Sequence, residues 1–205
     1  TDGGATWTAI NSGITDTFTT FVAIDPLTPA NVYVSTNSQG VFKSTNGGGT
    51  WTAVNTGLTI AQMNQLVIDP VTPTTIYATV FNASLFKSTN GGASWAAINP
   101  GGFVGWRSVA IDPSTPSTIY VGHNGLGVYK STDNGATWTA INTGLTSQII
   151  LDLGIDPVTP STIYAVTQAG IYKSTNSGAT WQVTGNALSV LTSTSVVSSQ
   201  NPSTA

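Results

Sequence analysis

The chain has 205 residues, with five Lys and Arg against eight acids, all of them Asp, for a net charge of −3. Charged residues make up only 6% of it, so no basic patch can be assembled, and nucleic acid and anionic membrane surfaces are disfavoured as partners. The absence of Cys excludes disulfides and thiolate metal sites, and one His without Cys or Glu is a poor metal site; no metal or cofactor is expected.

No apolar run approaches the ~20 residues of a spanning helix, so no membrane insertion is expected. Neither a signal-peptide pattern nor an initiator Met precedes Thr1, and the sequence reads as a processed or excised piece of a longer protein. Residues 1–14 read as the last strand of an earlier structural unit. From residue 15 onward a unit repeats. Apolar or alternating runs such as Phe21-Val22-Ala23-Ile24 and Ser108-Val109-Ala110-Ile111 predict buried strands. Each is followed by a turn bracketed by two prolines, Ile24 to Tyr33 in the first copy, with echoes at Ile68 to Tyr77, Ile111 to Tyr120 and Ile155 to Tyr164. A β-branched and aromatic strand comes next (Thr118-Ile119-Tyr120-Val121). A third strand (Gly127-Val128-Tyr129-Lys130) enters a nine-residue turn, and a fourth leaves it (Thr137 to Ile141). Helical periodicity is absent.

The nine-residue turn is Lys43 to Trp51, with copies at Lys87 to Trp95, Lys130 to Trp138 and Lys173 to Trp181, and a truncated one at Thr1 to Trp7. Asn46, Asn90, Asp133 and Asn176 can bond backbone N–H groups two residues on, while Gly48, Gly92, Gly135 and Gly178 allow positive φ. Trp51, Trp95, Trp138 and Trp181 suit a position wedged against the flank of their own sheet. The tryptophan spacing is 43 or 44 residues, from Trp7 onward. Four short strands at that period predict an all-β chain, a β-propeller of four-stranded antiparallel blades. The complete blades are 15–57, 58–101, 102–144 and 145–184, with one N-terminal strand of a further blade before them.

The turn resembles the Asp-box, or BNR repeat, Ser-x-Asp-x-Gly-x-Thr-Trp, with Asn replacing Asp at 46, 90 and 176 and Ser94 replacing Thr. That resemblance implies a relation to sialidase-like, xyloglucanase-like and sortilin-like propellers. Residues 185–205 are rich in Ser and Thr. The stretch Val196 to Ser203 resembles the first strand of bacterial Ig-like modules; a linker is the other reading. Ring closure stays open among three arrangements. The blades could belong to a larger ring, residues 5–10 could complete a fifth blade with strands from Ala187 to Ser199, or several copies could share one ring.

The sialidase resemblance implies an active site of three arginines, a Tyr/Glu pair and an Asp; with Arg107 alone and no Glu, that activity is excluded. Xyloglucanase-type propellers hydrolyse with two Asp residues facing across a cleft. Here Asp25, Asp69, Asp112 and Asp156 occupy equivalent turns, Asp2 and Asp133 lie in boxes, and only Asp16 and Asp152 break the repeat. A glycosidase needs two carboxyls about 5 to 10 Å apart, and nothing in the sequence places those two together. The expectation is therefore a non-catalytic module, with no catalytic residues.

Specificity is expected where the copies differ: before the first strands, and between the second and third. Trp106, Arg107 and His123 are the candidate contacts for a sugar or peptide, with Asp152 beside them. The competing reading packs Trp106 between blades, leaves Arg107 on the rim and makes His123 a turn residue. Scarce charge and Thr-rich strands point to a secreted or cell-surface protein whose partner is an extracellular glycan, a protein or copies of itself.

Overall fold

A computed structural model of the chain describes residues 3–16, 18–59 and 62–185. The Ser/Thr-rich stretch beyond Gly185, with its Ig-like and fifth-blade readings, lies outside the described residues, as does Asp2.

Each repeat folds into one antiparallel four-stranded sheet whose strands lie in chain order. Blade 1 holds β1 (Thr19–Ile24), β2 (Val32–Thr36), β3 (Val41–Ser44) and β4 (Thr52–Ala53). Blade 2 holds β5 (Met63–Ile68), β6 (Ile76–Val80), β7 (Leu85–Ser88) and β8 (Ala96–Ala97). Blade 3 consists of β9 (Trp106–Ile111), β10 (Ile119–His123), β11 (Gly127–Ser131) and β12 (Thr139–Ala140), and blade 4 of β13 (Ile150–Ile155), β14 (Ile163–Thr167), β15 (Gly170–Ser174) and β16 (Gln182–Gly185). Apart from a short 3-10 turn at Pro100–Gly102, the described chain is strands and turns. The first strands β1, β5, β9 and β13 pack against one another in sequence, as the inner strands of a propeller do.

The core lies between the sheets rather than within them. One cluster joins Tyr33 and Val41 of blade 1 to Met63, Leu66 and Trp95 of blade 2. A second joins Val67, Tyr77 and Leu85 of blade 2 to Trp106, Val109 and Ile119 of blade 3. A third joins Ala110, Tyr120 and Val128 of blade 3 to Ile150, Leu153 and Trp181 of blade 4. Each blade thus buries its apolar surface only against its neighbours, which is how stacked repeats acquire a continuous core.

Turn chemistry fixes the rest. Asp25 Oδ1 accepts the N–H groups of Leu27 and Thr28, both at 2.9 Å, and Asp69, Asp112 and Asp156 do the same in their blades. In the nine-residue turn the geometry departs from expectation. Asn46 Oδ1 caps the N–H of Thr50, four residues on (2.9 Å), because the nearer donors are taken: Ser44 Oγ accepts from Asn46 N–H and Gly48 N–H. The same pattern recurs around Asn90, Asp133 and Asn176. Gly48 has φ +94°, and a Cβ there would stand 2.5 Å from Ile10 Cδ1, so glycine serves both the turn and the close approach of the segment that precedes blade 1.

The tryptophans also correct the expectation. They grip the preceding blade instead of their own sheet: the Trp95 indole donates to Val54 O (2.8 Å), Trp181 to Ile141 O (2.6 Å) and Trp51 to Ile10 O (2.6 Å). Trp138 alone turns back, donating to Gly135 O of its own turn (3.0 Å).

Candidate functional site

The two sets of non-repeating connections converge on one face of the molecule. In blades 1, 2 and 3 the residue after the second strand donates to the segment before the first: Asn37 N–H to Phe18 O, Phe81 N–H to Gln62 O and Asn124 N–H to Gly105 O. Bonds between blades continue the rim, Gly105 N–H to Ala83 O (3.1 Å) and Gly125 and Gly127 N–H to Gln148 O (3.0 and 2.8 Å).

Within this face the four candidate residues have different surroundings. Trp106 has no exposed surface. Its indole donates to Phe103 O (3.0 Å), and its ring meets His123 edge-on at 4.8 Å and Tyr129 at 5.5 Å. That is the packing position, and it offers no face on which a ligand could stack. His123 is 9% exposed and engages both ring nitrogens: Nδ1 accepts the Leu126 N–H (3.0 Å) and Nε2 lies 2.6 Å from Val104 O. The two bonds together require the Nε2–H tautomer, and the ring staples the connection before β9 to the turn after β10. Neither ring is presented to solvent as the ligand contact the sequence suggested.

Arg107, next along β9, is half-buried, and its side chain makes no hydrogen bond or ion pair with any described residue. It stands level with Thr20, Asn64 and Leu151, the second residues of the other three first strands, all partly exposed. Asp152 sits in β13, 7% exposed, with Oδ1 accepting the Leu153 N–H at 2.9 Å. Asp16, the other non-periodic acid, accepts from Phe18 N–H, Ser38 N–H and Ser38 Oγ. These bonds hold its carboxyl below the usual carboxylate range, led by that from Phe18. It lies on blade 1 and Asp152 on blade 4, with two blades between. Among the described residues no three His, Cys, Asp or Glu side chains cluster as metal ligands.

This face also carries exposed apolar side chains, of which Phe18 and Phe81 lie in non-repeating connections that the sequence marks, whereas Phe103 and Val104 were not singled out. Phe81 is 41% exposed, Phe103 45% and Val104 54%, on connections tied together by the Gly105 to Ala83 bond. The signal was present as Asn99-Pro100-Gly101-Gly102-Phe103, where blades 1 and 3 have Asn-Thr-Gly-Leu.

Solved structures share this fold. The GH74 xyloglucanase from Xanthomonas campestris matches with a TM-score of 0.66 and 19% identity, over 87% of this chain and 32% of that one. The fold is a β-propeller. The extracellular domain of the hybrid two-component system BT3049 from B. thetaiotaomicron is similar to the propeller with a TM-score of 0.68 and 14% identity, over 89% of this chain and 27% of that one. YCF48 bound to D1 peptide is similar with a TM-score of 0.62 and 15% identity, over 83% of this chain and 54% of that one. The propeller therefore spans between about a quarter and about half the length of these structures. No protein-family model and no curated protein sequence matches it. Among the described residues no helix is long and apolar enough to cross a membrane.

Proposed function

We propose that this propeller is a non-catalytic Asp-box module of a secreted or cell-surface bacterial protein, serving adhesion, glycan or protein binding, or a structural layer. One observation carries this reading: every described carboxylate is engaged in capping backbone N–H groups. Asp25, Asp69, Asp112 and Asp156 hold the proline turns, Asp133 holds a box, Asp16 holds the approach to β1, and Asp152 accepts from its neighbour. A hydrolase of this architecture needs one carboxyl kept protonated by its surroundings and a second about 5 to 10 Å away. The two aspartates outside the repeat sit on separate blades.

The binding surface in this reading is the rim carrying Phe81, Phe103 and Val104, which are exposed, and Arg107, whose guanidinium has no partner among the described residues. The first test is incubation of the purified protein with xyloglucan and other polysaccharides, scoring both retention and new reducing ends. Retention without cleavage is expected. Cleavage abolished by Asp152→Asn would overturn the reading in favour of a GH74-like hydrolase.

The likeness to YCF48 bound to D1 peptide favours a second reading, a peptide-binding propeller. A glycan array beside a peptide pulldown separates the two. Loss of either signal in Arg107→Ala would assign the rim, and binding to neither would leave the structural role.

A further inference from the structure

In blades 1 and 4 the last residue of the second strand is a threonine that caps the turn leading to the third. Thr36 Oγ1 accepts the Gln39 N–H and donates to Gly40 O, and Thr167 Oγ1 accepts the Ala169 N–H and donates to Gly170 O. A hydroxyl keeps both roles at any ordinary pH. In blade 3 the same position is His123, the chain's single histidine. Its Nδ1 accepts the Leu126 N–H at 3.0 Å, three residues on as in blade 1, while Nε2 lies 2.6 Å from Val104 O.

An imidazolium carries a proton on each nitrogen and has no acceptor left. Val104 O can receive Nε2–H in either charge state, and the Trp106 ring, edge-on at 4.8 Å, tolerates a cation beside it. The Leu126 N–H meets another donor once Nδ1 is protonated, so this bond exists only with the neutral ring. No neighbouring charge cancels the conflict. The titratable and charged side chains on the elements packed around the ring are Arg107 on β9, Tyr120 on β10, Tyr129 and Lys130 on β11, and Asp152 on β13. Lys130 reaches Ser177 O, Tyr129 meets Trp106, Asp152 Oδ1 accepts the Leu153 N–H, and none of the five bonds to the imidazole.

We propose that His123 is a pH-operated latch on the rim. Neutral, it caps the turn Asn124 to Leu126 and ties it to the connection carrying Phe103 and Val104; protonated, it keeps Val104 and releases Leu126. The closed form is complete above the range in which imidazoles titrate and is lost as pH falls through that range. Gly125 and Gly127 N–H groups still donate to Gln148 O, and β10 stays paired with β9 and β11, so the change is confined to the turn. A ligand held by both the turn and the Phe103 connection is then released in acid. That consequence rests on the rim being the binding surface, whereas the latch does not.

The test needs no ligand, so its outcome stands apart from whether the rim binds anything. Because there is one histidine, its ring-nitrogen and ring-proton NMR signals read protonation directly between pH 8 and pH 5, alongside hydrogen exchange at Leu126 corrected for the intrinsic pH dependence of amides. The Nε2–H tautomer is expected at pH 8, and protonation should lower Leu126 protection by roughly tenfold while amides in the middle of β10 keep theirs. His123→Thr, which installs the cap of blades 1 and 4, should show equal Leu126 protection at both pH values. If that variant does not fold, the unsubstituted chain still decides. An Nδ1–H tautomer at pH 8, a ring that stays neutral down to pH 5, or a titrating ring with unchanged Leu126 protection would each overturn the proposal. Protection lost along the whole of β10 would overturn it too, since that is unfolding of the blade and not release of a turn.

Discussion

The joint between blades 3 and 4 and the joint between blades 2 and 3 bury comparable clusters by different means. At the first, the outer ends are fastened: Trp181 N–H donates to Thr143 O (2.9 Å), its indole to Ile141 O (2.6 Å), and Gly144 lies so close that a Cβ would stand 2.2 Å from Trp181 O. At the second, Pro100, the residue equivalent to Thr143, opens a 3-10 turn, and the Trp138 indole bonds within its own box rather than to Ile98, the equivalent of Ile141. The inner ends are fastened instead. Trp106 fills the joint, Asn64 and Thr79 donate to the carbonyls of Trp106 and Arg107 (both 3.0 Å), and Gln65 Oε1 accepts the Val109 N–H at 2.6 Å. The positions equivalent to Gln65 and Trp106 at the other joint are Ser108 and Ile150, and Ser108 Oγ has no partner among the described residues. A propeller joint thus tolerates loss of its outer staple when the inner strands supply a wedge.

The largest effects test that division directly. Trp106→Ala and Trp181→Ala each remove a buried indole and are expected to cost about 3 to 5 kcal/mol. Trp138→Ala, from a half-buried site with a local bond, is expected to cost about 1 to 2 kcal/mol. Denaturant midpoints, with hydrogen exchange to localise the loss to one joint, check the ranking. Equal costs for Trp138 and Trp181 would dissolve the comparison.

A smaller contrast sharpens it at equivalent positions of two inner strands. Gln65→Ala strands the Val109 N–H at the edge of β9, an expected loss of about 1 to 3 kcal/mol. Ser108→Ala removes a buried hydroxyl that satisfies nothing, and the expected change is neutral or slightly stabilising. A substantial loss at Ser108 would mean that its hydroxyl has a partner in solution, and the inner ends of the two joints would then be less different than they look.

The blade plan was legible in the sequence because periodic residues report backbone geometry. Asx turns, positive-φ glycines and alternating strands each leave a local signature that recurs at 43 or 44 residues. What the tryptophans and lysines reach was not legible. Trp95 and Lys43 act across a joint, on residues about one repeat away, and nothing local distinguishes that from packing on the same sheet. The rim failed for a related reason. Trp106 and His123 drew notice as rare residues, but rarity in this repeat marks an altered joint as readily as a ligand site. Phe103, in the glycine-rich turn after Pro100, was not singled out at all.

The smallest expected effect concerns the box of blade 3, whose cap is an aspartate where the other three described boxes have an asparagine. Asp133 accepts from Thr137 Oγ1, Thr137 N–H and Ser131 Oγ, and those bonds depress its pKa to about 2 from an ordinary 3.8. Asn46, Asn90 and Asn176 make the same cap without a charge. Because the folded-state value lies below the unfolded one, the carboxylate contributes stability above about pH 4, and that contribution is lost as pH falls toward 2. Asp133 is fully exposed, so solvent screening keeps the effect small. Asp133→Asn should remove this part of the acid dependence while keeping the Thr137 N–H capped. The check is a carboxyl titration by NMR together with urea midpoints at pH 2, 3 and 5. A titration midpoint near 3.8, or an unchanged slope in the variant, would mean that the charge adds nothing to a turn the neutral amide already closes.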